Sequence, residues 1–374
     1  MVAGDGREGN IVELSDWQNV SEDFWDTLVL GNGASVAVHE KFRYSSLKEE
    51  ARERGYLSAA HGNGDDSDAH ASGPVDAEGV FELLETDDFE VVLNLLWHAR
   101  YVNERLSVEE EETEAAYELV RDALVKTVHA VHCERNEIEE QLQAIYRFMG
   151  RFGIVLSLNY DLIVYWALLA GIGPNPGRFM DCFLGDRTFD PDWARHLSSG
   201  SKASRPTLVF YPHGNLLLTT NLLEGERKVF AKSHYISQQI GNAWRGGRTP
   251  LFVSEGRPQD KENKIKKSGY LRTVYGEVMG NLGATVVIYG WDFSYEKKKD
   301  THLLKRLFEK RKDKVAVSVY RPRLDGDEEA LELHCRSIEN DIKRAASRAG
   351  FRRPEVLFFD AESEGCWIHR AASP

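Results

Sequence analysis

Asn159, Asp161 and His213 are the side chains of this sequence best placed to do chemistry, because each comes where a short apolar run ends. An imidazole titrates near neutrality and suits a general base or a ribose-hydroxyl contact. A carboxamide and a carboxylate one residue apart offer a ligand both donors and acceptors. Asn159-Tyr160-Asp161 follows Ile154 to Leu158, and His213-Gly214 follows Leu208 to Pro212. A third segment, Gly31-Asn32-Gly33-Ala34-Ser35, follows Trp25 to Leu30. Glycines at such a turn let backbone N–H groups approach a pyrophosphate, and the start of the next helix favours its negative charge. At the carboxyl ends of parallel strands, the three segments would line the crevice where open α/β sheets bind ligands.

Each of these residues also has a plainer reading. Gly31 to Ser35 equally fits a tight strand-to-helix turn, and Asn32 readily adopts turn conformations. Asp161 fits a helix cap or first-turn acid, an account that explains Asn159 poorly. His213 is set apart from the other histidines, such as His98, His129, His132 and His334, by its strand-end position. Two further strand-end segments would complete the crevice: Ser254-Glu255-Gly256 after the run from Thr249, and Gly290 to Ser294 after the run from Ala284. There Gly290 would allow close approach of a nucleotide, with Ser254, Glu255 and Ser294 contacting ribose or adenine. Glu255 and Asp292 equally fit helix N-terminal acids.

The elements that must position these residues follow from hydrophobic patterning. After residue 150 the chain alternates strand and helix. Strands are predicted at Phe152 to Leu158, Thr207 to Tyr211, Thr249 to Ser254, Ala284 to Tyr289, Val315 to Tyr320 and Glu355 to Phe359. Helices are predicted at Leu162 to Leu169, Tyr235 to Ala243, Tyr270 to Met279, Thr301 to Lys310 and Glu328 to Ala349. Residues Asn215 to Phe230 read as a hairpin or meander on the sheet edge. His61 to Gly79 reads as a long exposed loop, and residues 80–150 as a helical insertion able to act as a lid. The expected fold is α/β, a Rossmann-like, largely parallel sheet flanked by helices, with the insertion after the first βα unit. One domain is expected over residues 1–374.

Composition bounds what the chain does. With 374 residues and 42% hydrophobic content it can bury a full core. A net charge of −13 argues against a sequence-independent grip on nucleic acid. Residues 295–314 reverse that sign, with nine Lys or Arg against four Asp or Glu; a solvated helix face is the favoured reading over a polyanion site. Cys133, Cys182, Cys335 and Cys366 are too scattered for a zinc ribbon or disulfide framework, which points to a reducing cytoplasm. Met1 to Asn10 lacks a signal-peptide pattern, and the longest apolar stretch, Leu162 to Gly173, is too short to span a bilayer.

As a set, the motifs resemble the sirtuin-like superfamily, specifically its zinc-free prokaryotic branch. Gly31, Gly33 and Ser35 match the family's glycine loop and nearby serine, Asn159 and Asp161 its asparagine-x-aspartate, and His213-Gly214 its histidine-glycine pair. Phe42-Arg43 resembles the phenylalanine-arginine after the loop, at slightly shorter spacing. The strings GNGASVAVHEKFRYSSL, LSLNYDLIVYWAL, HGNLLL and PLFVSEG resemble an uncharacterised bacterial family of this fold, and the similarity runs discontinuously over residues 24 to 310. Two departures stand out: Leu158 replaces the family's glutamine, and no cysteine quartet follows His213.

The resemblance implies cleavage of NAD to nicotinamide and ADP-ribose with water as acceptor and with no metal. Asp161 would contact the carboxamide, Asn159 would position water or a ribose hydroxyl, and His213 would act as base. Gly31, Gly33 and Ser35 would hold the pyrophosphate, with Asn32, Ala34, Phe42 and Arg43 also binding the nucleotide. It also implies a role in bacterial anti-phage defence. Because unregulated NAD hydrolysis is toxic, a lid, a homo-oligomer or a defence-system partner protein would control it. A non-catalytic NAD or ADP-ribose sensor and a zinc-free protein deacylase are the alternatives.

Overall fold

The computed structural model describes residues 14–43, 46–58, 77–108, 111–171, 177–197, 205–221, 224–229, 236–245, 248–252, 258–293, 300–321 and 327–368. Its strands, in chain order, are β1 (Thr27–Leu30), β2 (Ile154–Ser157), β3 (Phe179–Met180), β4 (Thr207–Phe210), β5 (Gly214–Thr220), β6 (Arg227–Lys228), β7 (Thr249–Phe252), β8 (Thr285–Tyr289), β9 (Lys314–Val319) and β10 (Glu355–Asp360). Its helices are α1 (Trp17–Val20), α2 (Asn32–Val38), α3 (Leu47–Glu53), α4 (Ala77–Leu83), α5 (Phe89–Leu106), α6 (Glu111–Val131), α7 (Glu139–Met149), α8 (Ile163–Gly171), α9 (Ile236–Arg245), α10 (Pro258–Lys267), α11 (Gly269–Thr273), α12 (Thr301–Leu307) and α13 (Glu328–Arg348).

Seven strands form one parallel sheet in the order β10-β9-β8-β1-β2-β4-β3. The fold is therefore α/β and Rossmann-like, with helices flanking the sheet. Parallel strands covered on both faces read as continuous apolar runs, and β1, β2 and β4 are buried at every position. From β1 the chain builds β2, β3 and β4 on one side, then crosses to β8, β9 and β10 on the other. The strand order thus reverses at β1, and the crevice beyond the carboxyl ends of β1 and its neighbours is where such sheets take ligands.

Two expectations need correcting. β7 does not join the main sheet, although Thr249 to Ser254 reads as a strand of it. It pairs antiparallel with β5, which pairs with β6, in a separate three-stranded sheet. The predicted hairpin at 215–230 is real as β5 and β6, but it belongs to that second sheet and not to the edge of the first. The cause lies at Gly214, whose φ of +72° turns the chain out of β4 into β5. A Cβ at Gly214 would come 2.0 Å from the Leu251 carbonyl oxygen, so glycine lets β5 lie directly against β7. The edge strand β3 was not anticipated; two residues give no periodicity to read. The helix expected over Tyr270 to Met279 is α11 followed by a π turn at Val274–Val278.

The predicted insertion holds α4 to α7. Within it α5 and α6 pack together, α6 packs on α3 and α9, and α5 packs on β7, while α7 packs on α8 after the chain enters β2. Buried side chains of this region, including Phe81, Phe89, Tyr117 and Leu142, join one hydrophobic cluster with those of the sheet. No described helix is long and apolar enough to cross a membrane.

Candidate functional site

Asn159, two residues beyond the end of β2, spends both N–H groups on the first βα turn. Its Nδ2 donates to the Gly31 carbonyl at 2.9 Å and to Ser35 Oγ at 2.7 Å. The Ser35 hydroxyl donates in turn to Asp161 Oδ2. Asp161 Oδ1 accepts the Ile163 N–H at 2.9 Å, so this carboxylate also caps the start of α8. Burial raises the Asp161 pKa, opposed by the bonds from Ser35 and the backbone. The two accounts of Asp161, cap and site acid, therefore describe one arrangement.

The end of the helical insertion closes over these residues. His132, just past α6, accepts the Leu162 N–H on Nε2 at 3.0 Å, while its Nδ1 lies 2.7 Å from the Cys133 carbonyl. That pairing makes Nδ1 the protonated nitrogen and keeps the ring neutral, and burial pushes its pKa down to about 4. Phe42 packs edge-on against His132 at 4.9 Å, and its carbonyl accepts from Asn32 Nδ2 at 3.3 Å. Phe42 is buried and Arg43 exposed. The geometry makes His132 a half-buried cap on the chain beside Asp161.

His213, in the turn from β4 to β5, is buried. Its Nε2 lies 3.4 Å from Nε2 of His302, on α12. Asp300, just before α12, completes a cluster: its Oδ1 pairs with Lys261 Nζ at 3.1 Å and its Oδ2 accepts from Trp291 Nε1 at 3.3 Å. Burial lowers the His213 pKa, only partly offset by Asp300. Burial likewise lowers His302 to about 4. Burial works to raise Asp300, and the electrostatic influence of the neighbouring His213 and Lys261 outweighs it and lowers its pKa. Burial thus favours the neutral form of both imidazoles.

The glycines make their close approach to the protein's own backbone. Gly31 N donates to the Tyr289 carbonyl at 3.0 Å and Gly33 N to the Gly290 carbonyl at 2.7 Å. A Cβ on Gly33 would lie 2.8 Å from that oxygen, and one on Gly290 would lie 2.3 Å from Ala34 N. Gly31 and Gly33 therefore seat the end of β8, and the Gly33 N–H expected to face a pyrophosphate is engaged by Gly290. Ala34 is buried, and its carbonyl accepts from Trp367 Nε1 at 2.9 Å, so the segment after β10 buttresses the turn.

The structure brings Gly31, Asn32, Gly33, Ala34, Ser35, Asn159, Asp161, His213 and Gly290 together at the carboxyl ends of β1, β2, β4 and β8. Ser254, Glu255, Gly256 and Ser294 lie outside the described residues. β7 ends at Phe252 opposite Gly214. Lys261, Asp300 and His302 were missed. Asp300 and His302 fall in a run conspicuous for cationic charge, and no spacing rule marks an aspartate two residues before a histidine there. Several described cations of that run have partners within the chain: Arg306 donates to the Tyr275 carbonyl at 2.7 Å, Lys310 to Asn281 at 2.7 Å, and Lys314 pairs with Asp23 at 2.7 Å.

No curated protein matches the chain. A family profile described as a domain of unknown function (DUF4917) matches residues 28–367, from within β1 to the buttressing Trp367. The match takes in both halves of the parallel sheet and every described residue of the site, and the chain belongs to this family.

Proposed function

We propose that the chain is an NAD hydrolase that releases nicotinamide and ADP-ribose by water attack at the nicotinamide ribose. The observation that carries this reading is the hydrogen-bonded chain from Gly31 through Asn159 and Ser35 to Asp161, with His213 buried at the end of the neighbouring strand β4. It unites, at a strand-order reversal, the residues that match the sirtuin-like pattern. In the reaction the bond from ribose C1′ to the nicotinamide nitrogen breaks, its electron pair leaves with nicotinamide, and water oxygen bonds to C1′. The water proton passes to neutral His213. Asp161 and Asn159 orient the carboxamide and ribose, and such positioning contributes about 7 kcal/mol or more in favourable cases.

Asn159, Asp161 and His213 are exposed by 9%, 6% and 5%, so the described structure is a closed resting state. Opening falls to the insertion, whose α6 end is latched to α8 through His132 and Leu162. Substrate exchanges for the internal partners of Asn159 and Ser35. The same burial favours a second reading, a sensor that binds the nucleotide without turnover. Calorimetric titration of NAD into the full chain and the Asn159→Ala variant tests the site itself. Binding by wild type supports the site, retained affinity with lost turnover in the variant places Asn159 in transition-state positioning, and no binding by wild type excludes it.

A further inference from the structure

His213, Asp300 and His302 each present a metal-ligating atom to the others, all within 4.8 Å of one another. The two Nε2 atoms are 3.4 Å apart. A tetrahedral ion with bonds of about 2.0–2.1 Å to imidazole nitrogen holds two such nitrogens about 3.3–3.4 Å apart. The imidazole pair therefore already has the bite of a zinc-class ion.

His302 supplies the second observation. The residue is 1% exposed, and its Nδ1 has no hydrogen-bond partner. When both rings carry their proton on Nδ1, the two Nε2 lone pairs face each other at 3.4 Å, and a cation between the rings relieves that repulsion. Asp300 is oriented by Lys261 and Trp291, as outer partners orient ligating carboxylates. A carboxylate has about four lone-pair sites, so these two bonds leave it able to ligate.

We propose that His213, Asp300 and His302 bind one divalent transition-metal ion of the zinc class, leaving a coordination position for water. Two imidazoles with one carboxylate favour zinc, cobalt, nickel or iron over calcium and magnesium. The ion occupies the Nε2 lone pair that His213 needs to accept a proton from water, so occupancy restrains turnover. That consequence rests on the hydrolase reading, whereas the binding itself does not.

The test is titration of the purified, metal-stripped full chain with Co²⁺, followed by visible absorption and by metal content after equilibrium dialysis. One Co²⁺ per chain with the intense visible bands of tetrahedral coordination is expected, displaced by Zn²⁺ and unaffected by excess Mg²⁺. His302→Gln and Asp300→Asn should each weaken binding by at least tenfold. Either variant serves if the other fails to fold, judged by circular dichroism. No stoichiometric Co²⁺ on wild type, or equal affinity in wild type and the folded variants, overturns the proposal. Stoichiometric binding without NAD turnover upholds the metal site and rejects the hydrolase reading.

Discussion

Asn159 Nδ2 donates to Ser35 Oγ at 2.7 Å, a bond between residues 124 positions apart that ties the end of β2 to the helix after β1. Both residues are buried, with exposures of 9% and 1%. The pair fixes the distance between the two central strand ends and, through the Ser35 hydroxyl, the orientation of Asp161. Chemistry and stability are consequently coupled at this point.

Ser35→Ala removes the acceptor of Asn159 and the donor to Asp161 together. Leaving buried polar groups unsatisfied costs about 1–3 kcal/mol. Urea denaturation of wild type and variant should show a loss in that range without a change in slope. An unchanged midpoint would mean that the network does not hold the strand ends.

Gly290 has φ +66° and its Cβ would meet Ala34 N at 2.3 Å, whereas Gly225 has φ +68° and open space around it. Gly290→Ala should therefore destabilise far more than Gly225→Ala, for which only the left-handed backbone cost of about 1–2 kcal/mol applies. Thermal melts of the two variants make the comparison. Similar shifts in both would contradict the close packing of β8 on the glycine turn.

Stability should fall in acid through His132, whose folded pKa of about 4 lies below the ordinary 6.5. Between these values the unfolded chain binds the extra proton, so this stabilisation is present above pH 6.5 and is lost as pH falls toward 4. At about 1.4 kcal/mol per pKa unit the effect is on the order of 3 kcal/mol. Urea midpoints at pH 7 and pH 4.5 should differ less in His132→Asn than in wild type. An equal pH dependence would show that His132 titrates normally.

The main sheet was legible because β1, β2, β4 and β8 are continuous apolar runs, each ending in a turn-forming or polar residue. The same rule misplaced β7, whose residues Thr249–Phe252 are just as buried. Burial of a short strand says nothing about which sheet it joins, and the deciding feature, the left-handed Gly214, acts through a partner strand far along the chain. Asn159, Asp161 and His213 were legible from strand-end position. The Asp300–His302 pair was not, because its meaning comes from His213, 89 positions before His302. The glycine turn was legible as a close approach, but the approaching group is Gly290.

The most direct measurement incubates the purified full chain with NAD in H₂¹⁸O, as isolated and after metal removal, and identifies products by mass spectrometry beside His213→Ala. Equimolar nicotinamide and ADP-ribose, with one ¹⁸O incorporated at ribose C1′ and turnover lost in the variant, is the predicted result. NAD bound but recovered intact in both states, or turnover equal in wild type and His213→Ala, would contradict the assignment of this site as a hydrolase.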